Sequence, residues 1–196
     1  NIIKNGPSER RRFIDLELSQ LDKIYLSHLS NYQRIINQRN HLLKDLKDIK
    51  KQESLAQTLD IWDLQLVQYG NEIIERRNKF IEEINEIISF IHNKLTGGKE
   101  KIQLIYEPSN GNLSLEQALR KNREKDFRMK STSVGPHIDD ICFMTENLDI
   151  RRFGSQGQQR TAALSLKLSE IELVKQRIND MPILLLDDVL SELDKY

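Results

Sequence analysis

The chain has 196 residues, 38% hydrophobic and 31% charged, which is enough to bury a genuine core and too apolar for a disordered segment. Its 30 basic residues balance its 30 acidic ones, which excludes a uniformly basic nucleic-acid coat or an acidic solvating tail as a property of the whole chain. The lone Cys142 needs no oxidising compartment, no apolar run reaches the ~20 residues of a membrane helix, and no signal-peptide pattern opens the chain, so a cytoplasmic location without a membrane partner is expected.

Gly6-Pro7-Ser8 reads as a turn leading into a helix. From there to about residue 50 the apolar residues recur on a heptad phase: Leu18, Leu21, Tyr25, Tyr32, Ile35, Leu42, Leu46 and Ile49. Only His28 and Arg39 break the stripe, which predicts one long amphipathic helix. A second stretch keeps such a phase through Leu59, Trp62, Leu66, Tyr69 and Ile73, then shifts and resumes at Phe80, Ile84, Ile87 and Ile91. This is one helix with a stutter or two abutting helices. The polar connection Lys50 to Ser54 folds the two stretches back as an antiparallel pair, either a bundle core or a projecting coiled-coil arm.

Thr96-Gly97-Gly98 is a helix stop, Lys101 to Tyr106 alternates like a half-buried strand, and Pro108-Ser109-Asn110-Gly111 is a turn. Leu115 to Met129 reads as a short, very charged helix. Ile141 to Thr145 and Leu148 to Phe153 read as hairpin arms about Glu146-Asn147. Within the first arm, Cys142 lies in an apolar run and is expected to be a buried structural thiol. Thr161 to Ile178 is an amphipathic helix with Leu164, Leu168, Ile171 and Val174 on one face. Pro182 introduces Ile183-Leu184-Leu185-Leu186, an all-apolar run typical of a strand buried inside a sheet.

Two segments carry chemistry. The apolar run ends in Asp187-Asp188, and carboxylates at the C-terminal edge of a buried strand can hold hydrated Mg²⁺ and orient a water toward a γ-phosphate. The alternative is a strand end with solvated acids. Phe153-Gly154-Ser155-Gln156-Gly157-Gln158-Gln159 runs into a helix N-terminus, where unpaired N–H groups and the dipole make an anion site and Gly157 admits a phosphate close to the backbone. The alternative there is an ordinary capped helix. The succession of a Ser-x-Gly-Gln loop, a helix, a strand ending in Asp-Asp, and Ser191-Glu192-Leu193-Asp194 matches the signature loop, Walker B and D-loop of ATP-binding-cassette (ABC) ATPases.

With Gly6-Pro7-Ser8-x-Arg10-Arg11-x-Phe13-Ile14-Asp15, Gln38-Arg39-Asn40-x-Leu42-Leu43-Lys44 and Gly135-Pro136-His137-x-Asp139-Asp140 added, the chain resembles the RecF family, bacterial DNA-repair ATPases related to the SMC group. The resemblance implies a mainly α fold with a smaller β part: an antiparallel helical arm lobe over residues 1–95 and an incomplete ABC-type ATPase lobe over 96–196. It implies a protein of DNA replication, repair, recombination and the SOS response that binds single- and double-stranded DNA, forms an ATP-dependent homodimer, and helps load recombinase with RecR and RecO mediators. Ser155, Gln156, Gly157 and Gln158 should face the ATP of the other subunit. Asp187 should support Mg²⁺ through water, Asp188 should act catalytically by positioning the attacking water, and Ser191 and Asp194 should lie at the nucleotide-bearing dimer interface.

The chain departs from the family pattern at Asp188, where most cassette ATPases carry Glu, implying slow hydrolysis, and at Ile138, where Arg is expected. The phosphate loop G-x-x-x-x-G-K-S/T is absent, since Gly97-Gly98-Lys99-Glu100 lacks the first Gly and follows a helix. The chain therefore reads as the middle and later part of a longer protein, not expected to hydrolyse ATP by itself. Arg120, Lys121, Arg123, Lys125, Arg128 and Lys130 crowd one helix as a candidate DNA-phosphate surface, or as a solvated face. The alternative function is a non-hydrolysing SMC-like coiled-coil adaptor in which Asp187 and Asp188 are structural, or another SMC-type ATPase.

Overall fold

The computed structural model describes residues 2–45, 52–146 and 148–178. Pro7, whose missing N–H is not needed in the first turn, starts helix α1 (Pro7–Leu21) directly after Gly6. The chain turns extended at Asp22 (φ −141°, ψ 102°), and Asp22 Oδ1 accepts the N–H groups of Ile24 at 2.8 Å and Tyr25 at 3.0 Å to begin helix α2 (Lys23–Asp45). The single long helix expected here is thus two. The buried positions continue across the break, from Leu18 to Tyr25 and Tyr32.

Helix α3 (Gln52–Leu95) is one continuous helix of 44 residues, so Gln52 to Ser54 belong to it and not to a connection. Its buried positions are Leu59, Asp63, Leu66, Gly70, Ile73, Arg77, Phe80, Ile81, Ile84, Ile88 and His92. They alternate by three and four up to Ile84 and by four thereafter, so the stutter is real but lies near the C-terminal end. Trp62 and Tyr69, assigned to the seam from their apolarity, are half-buried beside it, and the seam positions belong to Asp63 and Gly70. Ion pairs Asp22–Arg76 and Arg39–Asp63 run α2 and α3 antiparallel. Helix α3 ends where expected: Gly97 and Gly98 take positive φ (61° and 79°), and Gly98 N–H returns to Asn93 O at 2.8 Å.

The sheet is small and antiparallel, ordered β1 (Gln103–Glu107), β2 (Asp140–Thr145), β3 (Leu148–Asp149), with Ile105 opposite Cys142 and Met144 opposite Asp149. Between β1 and β2 lies α4 (Leu115–Met129), with the bounds that the sequence predicts and a capping box in which Ser114 Oγ and the Gln117 side chain satisfy each other's N–H groups. Cys142 is buried, which pushes its thiol up to about 11. The second hairpin arm is only two residues long. Asp149 accepts the Arg151 N–H and curls Ile150–Phe153 into a helical turn, α5, where a strand is expected.

Helix α6 (Gln156–Ile178) packs along α3. Its buried face is Ala162, Ser165, Leu166, Ser169 and Leu173, whereas Leu164, Leu168, Ile171 and Val174, expected to face the core, are only half-buried. Small residues let two helices approach closely. The hydroxyls can be buried because Ser165 donates to Thr161 O (2.8 Å) and Ser169 to Ser165 O (2.7 Å). One apolar core joins both sides of residue 95, from Ile14 and Tyr32 through Ile84 and Ile88 to Phe143 and Leu166.

Glu17 of α1 is 5% exposed and meets Glu170 of α6. Burial and the facing carboxylate push Glu17 up to about 7, against the pull of Lys167. Because the folded-state value is raised, the stability this group contributes is present below its ordinary value of 4.5 and is lost as pH rises through about 7. Glu17→Gln should therefore match wild type near pH 4.5 and melt at a higher temperature above pH 7. Melting curves across that range check it, and equal melting temperatures throughout would refute the carboxyl pair.

Candidate nucleotide-facing edge and the polar hubs behind it

The Ser-x-Gly-Gln segment is the first turn of α6, five residues earlier than the periodicity of the helix predicts. Ser155 Oγ accepts the Gln158 N–H at 3.1 Å and Gln158 Oε1 accepts the Ser155 N–H at 2.9 Å, a second capping box. Ser155 O takes the Gln159 N–H at 2.9 Å. The N–H groups of Gln156 and Gly157 have no acceptor among the described residues, and Ser155, Gln156 and Gly157 are exposed. A Cβ placed on Gly157 would meet only Ser155 Oγ, at 3.8 Å, so the surface in front of the turn is open. The Ser155 hydroxyl, accepting from Gln158, keeps its proton to donate outward. Three donors at a helix N-terminus suit an anionic oxygen cluster. The Gln158 side chain is already engaged: its Nε2 donates to Glu100 Oε1 at 2.9 Å. Phe153, 69% exposed, stands beside the turn. Asp187, Asp188, Ser191 and Asp194 lie outside the described residues, as does the apolar run before them.

Behind this edge the Gly135 to Asp140 run is the meeting point of five elements. Asp140 receives a bidentate Arg10 from α1 (2.6 and 2.9 Å) and Arg151 from α5 (2.7 Å). Arg11 Nη1 donates to the carbonyls of Ile138 (3.2 Å) and Asp139 (2.8 Å). Asp139 accepts from the Tyr106 hydroxyl and from Ser109 N (2.6 Å). Arg77 of α3, fully buried, donates to Pro136 O (2.6 Å), Asp15 (2.7 Å), Tyr25 Oη (3.1 Å) and Tyr106 Oη (3.3 Å). Burial works against its charge, but Tyr25, Tyr106 and Asp15 together raise the guanidinium above its ordinary value. His137 is lowered by burial and stays neutral, its Nε2 donating to Thr132 O (3.1 Å) while Nδ1 accepts from the Tyr32 hydroxyl (2.9 Å). Ile138, where Arg is expected, is 43% exposed, and positive charge at this loop comes from Arg10 and Arg11.

A second hub centres on Arg39, read from sequence as a break in the stripe. It is fully buried and donates to Asp63 (2.7 Å), Asp126 (2.8 Å) and Thr132 Oγ1 (2.9 Å). Asn40 Oδ1 accepts from Thr132 N and Oγ1, both at 2.7 Å. Arg123 joins this hub through Asp60 (2.6 Å) and Asp63 (2.5 Å). Of the six basic residues singled out on and after α4, Arg123 is thus held by acids, and Arg120 pairs with Glu116 at 2.7 Å on the exposed surface. Lys121, Lys125, Arg128 and Lys130 are exposed, and Lys130 caps α4 in the left-handed region. Arg77 and Asp63 were missed by the sequence pattern. The signal was a charged residue at a heptad position, which hydrophobic patterning counts as an interruption.

No family model matches the chain. Curated relatives do: a protein of Lachnospira eligens, 63% identical over 194 residues, one of Agathobacter rectalis, 59% identical over 194, and one of Bacillus thuringiensis, 41% identical over 206, each called "DNA replication and repair protein RecF". The chain belongs to the RecF family. The match covers 99% of this chain and 53% of the Lachnospira relative, so the chain spans about half the length of the curated RecF proteins it matches. Among solved structures, the "recombination mediator protein RecF-ATP in RecFOR pathway" superposes with a TM-score of 0.90 at 41% identity, over 99% of this chain and 53% of the other. The RecF-ATPrS structure superposes with a TM-score of 0.88 at 39% identity, over 98% and 53%. The mainly helical architecture with a small antiparallel sheet corresponds to that part of the RecF-ATP structure. No helix among the described residues is long and apolar enough to cross a membrane.

Proposed function

We infer that this chain forms the arm lobe and the partner-facing half of an ATP site in a RecF-type DNA replication and repair ATPase. The observation that carries it is the exposed first turn of α6, where Ser155 Oγ–H and the N–H groups of Gln156 and Gly157 converge on open space while the capping box holds their backbone rigid. These donors suit the γ-phosphate of an ATP held by a second subunit, which makes nucleotide binding and homodimerisation one event. Bound ATP would supply the phosphate oxygens as acceptors and the anhydride to be hydrolysed. Asp187 is assigned to Mg²⁺ through water, Asp188 to the attacking water, and Ser191 and Asp194 to the subunit interface. The exposed face of α4 with Lys121, Lys125, Arg128 and Lys130 is the candidate surface for single- or double-stranded DNA, read through phosphate and therefore salt-sensitive. Action with RecO and RecR at gaps and in the SOS response is the cellular setting this reading implies.

The test uses the full-length protein that contains this chain. Sedimentation with Mg-ATP should show a dimer that is absent without nucleotide, and Ser155→Arg, which places a bulky side chain over the donors on the surface of α6, should abolish it at a stability cost of only about 1 kcal/mol, that of a lost helix N-cap. A mass unchanged by ATP, or a variant that dimerises as well as wild type, would leave the segment a helix cap and favour the adaptor reading.

A further inference from the structure

Gln158, Glu100 and His92 form a line leading from the exposed turn of α6 into the seam between α3 and α6. Gln158 Nε2 donates to Glu100 Oε1 at 2.9 Å, and Glu100 Oε2 stands 3.7 Å from His92 Nε2. His92 is fully buried, and its Nδ1 lies 2.8 Å from Ser165 Oγ. Because the Ser165 hydroxyl proton is already donated to Thr161 O, the serine oxygen must accept, so Nδ1 carries the imidazole proton. Nε2 is then bare. It has no hydrogen-bond partner and faces a carboxylate, two acceptors opposed in a buried place. Only a proton on Nε2 turns that contact into a bond. Glu100 is the charged group bearing on His92, and Lys99 and Glu146 line the groove that Glu100 shares with Gln158.

We propose that Glu100 and His92 are positioning residues that hold the Gln158 amide in reserve and exchange it for a proton when Gln158 turns to a nucleotide phosphate. The inference rests on the assignment of Gln158 to the nucleotide-facing edge. In the resting arrangement the Gln158 amide satisfies Glu100, and the imidazole stays neutral. When the amide moves to a phosphate oxygen, Glu100 loses a donor and its negative field acts on His92 undiminished. Nε2 then takes a proton from solvent and replaces Gln158 as the donor to Glu100. Burial lowers His92 in the resting state against the opposing pull of Glu100, and a direct bond from a protonated Nε2 to that carboxylate would raise it in the engaged state. The engaged state therefore binds more protons, and capture strengthens as pH falls between the two values. Because Ser165 and Thr161 lie on α6 and His92 near the end of α3, the exchange also links the arm helix to the turn that faces nucleotide.

Calorimetric titration of the full-length protein with Mg-ATP at about pH 6.5, in buffers of different ionisation enthalpy, counts the protons taken up. Wild type should take up a fraction of a proton on binding, and its apparent affinity should rise roughly fivefold from pH 8 to pH 6, the lower end of ordinary coupling between sites. His92→Gln can still bond Ser165 but cannot titrate, and it should lose both the uptake and the pH dependence. Glu100→Gln, at a part-exposed position, should lose them too. Uptake unchanged in both variants, or absent from wild type, overturns the proposal. If Ser155→Arg dimerises like wild type, the nucleotide-facing assignment falls. If that variant fails to dimerise while His92→Gln and Glu100→Gln keep the uptake, the proton exchange alone falls.

Discussion

Arg39→Ala is expected to destabilise the protein by about 3–5 kcal/mol, the cost of breaking a buried ion pair by removing one partner. Arg39 is fully buried and bridges Asp63 and Asp126, the latter with no exposed side-chain surface. Without the guanidinium Asp126 loses its counter-charge, Asp63 keeps only Arg123, and Thr132 Oγ1 loses a donor. Against a total margin of roughly 5–15 kcal/mol the loss is large. Arg39→Lys retains the charge but not the fork that reaches Asp63 through Nε and Asp126 through Nη1, so it should fall between. Combining Arg39→Met with Asp63→Asn and Asp126→Asn removes the stranded charges and should recover much of the loss. Urea denaturation followed by circular dichroism measures all three. A cost for Arg39→Ala below about 1 kcal/mol would mean that the hub is not a buried charge network.

Gly135→Ala should cost about 2–6 kcal/mol through two separable effects. Gly135 has φ +123°, where a side chain adds strain of about 1–3 kcal/mol, and its Cβ would lie 3.3 Å from His137 Nδ1 and 2.3 Å from the Tyr32 hydroxyl, an overlap that adds about 1–3 kcal/mol. Tyr32 is held from the other side by Gly70 of α3, where a Cβ would come within 3.2 Å of its ring. Two glycines far apart in the chain make the slot from which Tyr32 reaches His137. In a Tyr32→Phe background the overlap with the hydroxyl is gone, and the cost of Gly135→Ala should shrink to the backbone strain. Thermal denaturation of the four proteins closes the cycle. Equal costs in both backgrounds would show that the hydroxyl contact plays no part.

These two hubs explain which parts of the protein could be read before folding. The α4 helix, the stop at Gly97-Gly98, the alternation of β1 and the turn at Pro108 to Gly111 rest on caps, turns and periodicity among near neighbours, and each stands where its residues place it. The family was legible for a related reason: short runs such as Gly135 to Asp140 and Ser155 to Gln159 carry their pattern in consecutive residues. What the Gly135 to Asp140 run does in the fold was not legible. Gly135 to Asp140, Arg10 and Arg11 turn out to knit the fold together, and Ser155 and Gln158 cap a helix as well as facing outward.

The break at Asp22, the polar seam of α3, the buried serine face of α6 and the curl of α5 were decided by tertiary structure. In the two hubs the reason is the same: a charge is tolerated in a core only where its counter-charge arrives, and the partners of Arg39 lie 24 and 87 residues away while Arg10 meets Asp140 across 130. Hydrophobic patterning scores such residues as interruptions. The apolar surface of Leu164 and Leu168 likewise reads as a core face until Ser165 and Ser169, their hydroxyls satisfied within α6, prove to let the helix pack closely on α3. The sequence alone thus determined the kinds of element and the order of the motifs, through interactions between near neighbours. Only the folded chain decided which polar residues lie inside, because desolvation and pairing are properties of distant residues brought together.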